Sequence, residues 1–181
     1  NNHTLICGWS NNINDIINSL IKNNKNSNIV LINNENEDTI NNILSAFQHI
    51  NLKFVRGDFS IDAILNKANA QNAKNAIILN NQNLANDERV ILATLSLKKI
   101  NTTIKVIAQI IDKEKVSFLK RANVDAVLTN DNFESFMAIS HIINPSVAQT
   151  INEIIDYNSN NKIQNRKIPS NFIGKTFSEL F

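Results

Sequence analysis

Glycine is scarce in this sequence. Three of its 181 residues are glycine, two are proline, and one each is cysteine, methionine, tryptophan and tyrosine. A single cysteine excludes an intrachain disulfide. Cys7 falls inside an apolar run, where a small buried hydrophobe is the ordinary reading, and a reducing compartment is expected. No apolar run approaches the roughly 18 residues needed to cross a bilayer, so the chain is expected to be soluble. The 18 basic residues nearly balance the 16 acidic ones. Without a dense basic run or a basic face interleaved with aromatics, nucleic acid is not an expected partner. The histidines, His3, His49 and His141, fall at a strand start, a helix end and a late helix. They read as solvated or capped, and no Ser/His/Asp or Cys/His grouping emerges to support catalysis.

Asparagine makes up about a fifth of the chain. It occupies polar positions between well-patterned apolar ones, which reads as surface rather than as a low-complexity tract. Isoleucine, leucine, valine and phenylalanine supply the core, and the length fits one ordinary domain with a small addition.

Thr4-Leu5-Ile6-Cys7 is a short apolar run that ends at Gly8-Trp9-Ser10 and opens into a helix bearing Ile13, Ile16, Ile17, Leu20 and Ile21 on one stripe. The spacing then predicts a strand at Asn28–Ile32 and a helix through Ile40, Ile43, Leu44 and Phe47, with Asp38 or Thr39 as N-cap. Leu52–Val55 is the third strand, closed by Arg56-Gly57-Asp58, and Ile61 to Ala68 a short helix. Ala76–Leu79 is the fourth strand, ending at Asn80-Asn81. The next helix is predicted to turn Val90, Ile91, Thr94, Leu95 and Leu97 inward and Asp87, Glu88, Arg89, Lys98 and Lys99 outward, with acids leading and bases trailing as the helix dipole prefers. A strand at Ile104–Gln109, a helix at Glu114–Arg121 and a strand at Ala126–Thr129 complete the series.

Strands alternating with helices over short connections, and apolar on both faces, call for a parallel sheet covered on each side. The expected fold class is α/β, a doubly wound Rossmann-type sheet ending near Asn130. Beyond it, Phe133, Phe136, Met137, Ile139, Ile142 and Ile143 form a strongly apolar helix, broken at Asn144-Pro145. Val147, Ala148, Ile151, Ile154 and Ile155 make a second. Two such helices exceed what a covered sheet needs, so part of their surface is expected to meet another subunit. Tyr157 to Gln164 reads as a polar linker, and Ile168-Pro169 to Phe181 as the opening of a further unit.

In open α/β sheets ligands bind beyond the carboxyl ends of the strands. The candidate ligand residues are therefore Gly8, Trp9, Ser10, Asn33, Asn34, Asp58, Asn80 and Asn81. The turn after the first strand lacks the second and third glycines of G-x-G-x-x-G. Asn33 stands where a dinucleotide site places an acid for the ribose hydroxyls. An NAD-dependent enzyme is therefore the least favoured reading.

Leu5-Ile6-Cys7-Gly8-Trp9-Ser10, with Arg56-Gly57-Asp58, Leu65-Asn66-Lys67-Ala68-Asn69 and Ala76-Ile77-Ile78-Leu79, resembles the RCK domain, the regulator of K⁺ conductance also called TrkA-N or KTN. The similarity runs in order from Leu5 to about Asp156 and is strongest to the cytoplasmic domains of prokaryotic potassium channels. It implies a Rossmann lobe over 1–130, a helix-turn-helix crossover over 131–157, and a linker with the beginning of a C-terminal lobe over 158–181. It further implies pairing through Phe133, Phe136, Met137, Ile142, Ile143, Val147 and Ile151, an octameric ring beneath the pore domain of the same channel, and a place on the cytoplasmic side of the cell membrane. The sequence leaves the ligand unnamed; an adenine nucleotide or NAD is the candidate, and Ca²⁺ is not expected at the site that calcium-gated members use. Calcium-gated members place carboxylates after the third strand and at the end of the fifth. Asp58 matches the first position, but Gln109 and Ile111 leave the others uncharged, so Asp58 is a weak metal candidate. The alternative within the resemblance is a regulatory subunit of a Trk- or Ktr-type transporter.

Overall fold

Short apolar runs punctuated by Asn, Gly and Asp give strands; the amphipathic runs between them give helices that cover those strands. The computed structural model describes residues 2–23, 27–80, 86–129 and 139–155. In chain order it shows β1 (His3–Cys7), α1 (Ile13–Asn23), β2 (Asn28–Asn33), α2 (Glu37–Ala46), β3 (Asn51–Arg56), α3 (Asp62–Lys67) and β4 (Ala73–Ile78). Then follow α4 (Asp87–Ile100), β5 (Lys105–Ile110), α5 (Val116–Arg121) and β6 (Ala126–Thr129). The strands form one sheet in the order β3-β2-β1-β4-β5-β6, and every ladder is parallel. This is the doubly wound Rossmann-type fold expected from the sequence.

β1 is the inner strand where the two halves meet, with Leu5 opposite Val30 of β2 on one side and Ala76 of β4 on the other. Its alternating side chains feed two separate cores. Leu5 and Cys7 pack with Leu65, Ile78, Val90, Leu97, Val106 and Leu119, so α3, α4 and α5 cover one face. Ile6 packs with Ile13, Ile17, Leu31, Ile43 and Phe47, so α1 and α2 cover the other. Leu5 and Ile6 are fully buried, and truncating either to alanine should cost about 2–5 kcal/mol. The two edge strands depart from the expectation of apolar faces on both sides. β3 carries exposed Lys53 and Arg56, and in β6 Ala126 and Leu128 are exposed; charge on an edge discourages pairing with another chain.

Several local expectations are corrected. The N-cap of α2 is Asn36, whose side chain accepts from the Thr39 amide at 2.8 Å. Asp38 and Thr39 lie within the first turn, where the acid complements the helix dipole. In α4 the buried stripe is Val90, Ala93, Thr94 and Leu97, and Leu95 is 48% exposed because it falls off that stripe. Asp87 is buried rather than outward. Lys98 donates to Asp125 and to the Ile104 carbonyl. The region Glu114–Arg121 begins as a 3₁₀ turn, Lys113–Lys115, before α5. His3 is buried, with Nε2 within 3.1 Å of the Ala68 carbonyl.

The chain divides into two units, Asn1–Glu134 and Ser135–Phe181. In the second, residues 139–143 are helical, Asn144 interrupts, and Pro145–Ile155 is a further helix. Pro145 occupies the first helical position, where its missing N–H costs nothing. The Val147 amide donates to the Asn144 carbonyl at 3.0 Å, and the Ser146 hydroxyl to the Asn144 side chain at 2.8 Å. Ile142 and Ile143 are 83% and 77% exposed, Val147 38%, and Ile151 is half-buried. Phe133, Phe136 and Met137 lie outside the described residues, as does everything beyond Ile155.

Candidate functional site

The carboxyl ends of β1 to β4 converge on one cleft. Its wall is Gly8 and Trp9 after β1, Asn33, Asn34 and Glu35 at the end of β2, Gly57, Asp58 and Phe59 after β3, and Leu79 and Asn80 after β4, completed by Asn86 and Arg89 at the start of α4. The cleft encloses about 200 Å³.

Gly8 is where β1 leaves the sheet. Its φ is +92°, and a Cβ there would press on the Leu79 carbonyl oxygen. Only glycine accepts both the conformation and the approach. The Gly8 amide donates to the Ile32 carbonyl at 2.8 Å, and the Leu79 amide to the Cys7 carbonyl at 2.8 Å, so the turn is held by strands on either side of β1.

Asn33 acts on the backbone. It is 5% exposed; its Nδ2 donates to the Gly8 carbonyl at 3.4 Å and its Oδ1 accepts from the Glu35 amide at 3.1 Å. Arg56 donates Nη1 to the Glu35 carbonyl at 2.7 Å, with its guanidinium 5.5 Å from the Phe54 ring centre. Glu35 is thereby fixed at the cleft wall. An acidic residue does line the cleft after β2, two residues beyond the position expected to hold one.

Asp58 uses both oxygens. Oδ1 accepts from the Ser60 amide at 2.9 Å and the Ser60 hydroxyl at 2.7 Å, and Oδ2 lies 3.0 Å from Nη2 of Arg89. Partial burial pushes this carboxyl up, but the two hydrogen bonds from Ser60 and the Arg89 charge outweigh it and hold the group below the usual carboxylate range. Asp58 and Arg89 come from opposite halves of the sheet and meet across the cleft.

Beneath that pair, Asp87 is 2% exposed. Its carboxylate accepts from Asn80 Nδ2, from the Ile111 amide at 3.0 Å and from the Asp112 amide at 2.9 Å. The Asn80 amide in turn donates to Gln109 Oε1 at 3.2 Å, and the Asn86 amide to Asn80 Oδ1 at 3.3 Å. The network ties the turn after β4, the start of α4 and the turn after β5 into one support.

Of the eight ligand candidates, Gly8, Trp9, Asn33, Asn34, Asp58 and Asn80 line the cleft. Ser10 does not, and its hydroxyl accepts from the Asn12 amide at 3.2 Å. Asn81 lies outside the described residues. Sequence reasoning missed Glu35, Gly57, Phe59, Leu79, Asn86 and Arg89 as cleft residues. Among the described residues no three His, Cys, Asp or Glu side chains gather as a metal site would require, and no helix is long and apolar enough to cross a membrane.

An open parallel sheet with a cleft across the ends of β1 to β4 defines a Rossmann-type domain. Residues 4–130 match the TrkA-N domain family, and the chain belongs to that family. It is 25% identical over 158 residues to TvoK, named a calcium-gated potassium channel, of Thermoplasma volcanium, covering 83% of this chain and 42% of the channel. The chain thus spans less than half the length of that relative. Among solved structures, the TrkA-N domain of the Escherichia coli inner membrane protein ybaL superposes with a TM-score of 0.61 at 18% identity, over 78% of this chain and 96% of that one. The GsuK structure bound to ADP superposes with a TM-score of 0.54 at 20% identity, over 71% of this chain and 31% of that one. The GsuK channel bound to NAD gives 0.56 at 20%, over 70% and 21%.

Proposed function

We propose that this chain is the ligand-sensing gating domain of a potassium channel, a regulator without catalysis that works on the cytoplasmic side of the membrane. The observation that carries the reading is the cleft itself, where the turns after β1, β2, β3 and β4 surround one space. The ligand is an adenine nucleotide or NAD. The family membership supports this, as do the ADP and NAD named for the GsuK structures. A cleft of about 200 Å³ is below the roughly 300–1,000 Å³ of sites that enclose a whole small molecule, so such a ligand extends out of it. Calcium at Asp58 is not supported, because both carboxylate oxygens already have partners.

The organisation inferred is a Rossmann lobe over 1–130, crossover helices over 131–157, and a linker opening a C-terminal lobe over 158–181. The crossover residues Phe133, Phe136, Met137, Ile142, Ile143, Val147 and Ile151 pair chains into dimers, and dimers build an octameric ring below the pore. Exposed Ile142 and Ile143 support the pairing. A ligand that binds one ring shape tenfold more tightly than another biases the pore by about 1.4 kcal/mol per site.

Thermal melting of the chain with AMP, ADP, ATP, NAD, NADH and Ca²⁺ tests the ligand, since whatever binds the folded state raises its stability. Bilayer recordings of the full-length protein, with and without this domain, test the gating role. Unchanged gating and assembly after deletion would sink it. For the pairing, light scattering should give a dimer or larger that Met137→Glu dissociates. TrkA-N membership fits equally a detached regulatory subunit of a Trk- or Ktr-type transporter. A pore helix and filter sequence encoded in the same reading frame would decide for the channel.

A further inference from the structure

Among the described residues a single cation lines the cleft, Arg89, and it is already engaged by Asp58 at 3.0 Å. Glu35 adds a second acidic residue to the wall. An anionic ligand therefore meets two acidic residues and one basic residue whose charge is taken.

The pair is built to part. The Arg89 side chain is 43% exposed and the Asp58 side chain 20%, so the attraction is partly screened by water and weak. Asp58 keeps its place when Arg89 leaves, because Oδ1 is held by the amide and hydroxyl of Ser60. Arg89 stands in the first turn of α4, beside Asn86 and above the buried Asp87 support. It can swing while its backbone stays fixed. A guanidinium also offers a planar fork of donors that suits a phosphate in two-point contact.

We propose that the Asp58–Arg89 ion pair is an exchangeable latch: Arg89 is the phosphate receptor of the cleft, and the phosphate of a bound ligand takes the place of the Asp58 carboxylate on it. The inference rests on the nucleotide reading above and adds a selection rule to it. Each further negative charge on the ligand is opposed by Asp58 and Glu35, so the cleft takes one or two phosphates in preference to three.

Calorimetry of the 181-residue chain with ADP and with ATP, both without Mg²⁺, tests the latch. ADP binds the wild type more tightly than ATP does. Asp58→Asn keeps an oxygen for Ser60, frees Arg89, tightens ADP on the order of fivefold and narrows the gap to ATP. Arg89→Gln weakens ADP about tenfold or more, and Asp58→Asn added to Arg89→Gln recovers less than the fivefold it gives with Arg89 present. Melting without ligand checks that the variants fold. If Arg89→Gln melts far below wild type, Arg89→Lys replaces it, and intermediate affinity is expected. Weaker or unchanged ADP binding in Asp58→Asn overturns the latch while leaving the nucleotide reading intact. Absence of binding by both ligands to wild type and Asp58→Asn at millimolar concentration overturns both.

Discussion

Asp87 lies directly beneath Asn80: the amide group of the asparagine donates to the buried carboxylate, and the same carboxylate receives the backbone amides of Ile111 and Asp112. One side chain thus carries the ends of two strands and the start of a helix. Asp87→Asn turns an amide group toward donors and leaves at least one of them unmet. A loss of about 1–3 kcal/mol is expected, read as a lower urea midpoint. Glu88→Gln, on the exposed neighbour, should leave the urea midpoint nearly unchanged. Equal midpoints for the two variants would remove the support role of Asp87.

Gly8→Ala should destabilise more than an ordinary surface change. It combines a φ of +92° with a Cβ set against the Leu79 carbonyl, and a cost of about 2 kcal/mol or more is expected. Thermal unfolding measures it; a melting temperature equal to wild type would show that the turn has another conformation.

His3 couples stability to pH. Burial holds its imidazole below the ordinary value, and the hydrogen bond to the Ala68 carbonyl opposes only in part. Its folded pKa lies under the unfolded value of about 6.5, so on acidification the unfolded chain takes up the proton first. Stability is therefore lost as pH falls below about 6.5, down to the folded value. Urea midpoints between pH 5.5 and 7.5 should rise with pH in the wild type and less steeply in His3→Gln. Parallel profiles would exclude His3 as the source. Asp125 acts lower on the scale. The hydrogen bond from Lys98 and the Val106 amide hold its carboxyl down, so its contribution is present above about pH 4 and fades below that value.

Cys7 should be inert while the sheet is intact. Burial pushes its thiol up to about 12, and the side chain is fully enclosed. Ellman's reagent should label it at the rate of global opening, accelerating in urea; prompt labelling of the native chain would contradict its place in the core.

The sheet was legible because each strand is a short apolar run closed by a turn-forming residue. Six of the cleft residues sit at those closures, where chain direction alone places them. Arg89 and Asp87 were not legible. In the first turn of a helix Asp87 satisfies the dipole rule whether it points out or in, and Arg89, a cation there, runs against that rule. Their direction here is set by the turns after β3 and β5, which lie distant in sequence. Glu35 escaped for a related reason. Asn33 at the end of β2 looked like a weak substitute for an acid, whereas its side chain folds back on the Gly8 carbonyl and the Glu35 amide, and the acidic residue of this wall is Glu35. The N-cap of α2 was displaced because Asn36, Asp38 and Thr39 are all capping types, and only one of them precedes the first helical residue.

β1 receives its two neighbours from very different distances along the chain. Thr4 stands opposite Ile29 on one side and Asn75 on the other. The first pairing closes a short loop, while the second encloses the whole first half, so β1, β2 and β3 can assemble well before β4 arrives. The cleft exists only after that arrival, since Glu35 and Asp58 belong to the early half and Asn80 and Arg89 to the late one. A molecule gripping both halves consequently leaves the rate of folding nearly untouched and slows the rate of unfolding. Occupancy of the cleft then sets how long the chain survives a protease, a readout that runs on lifetime rather than on shape.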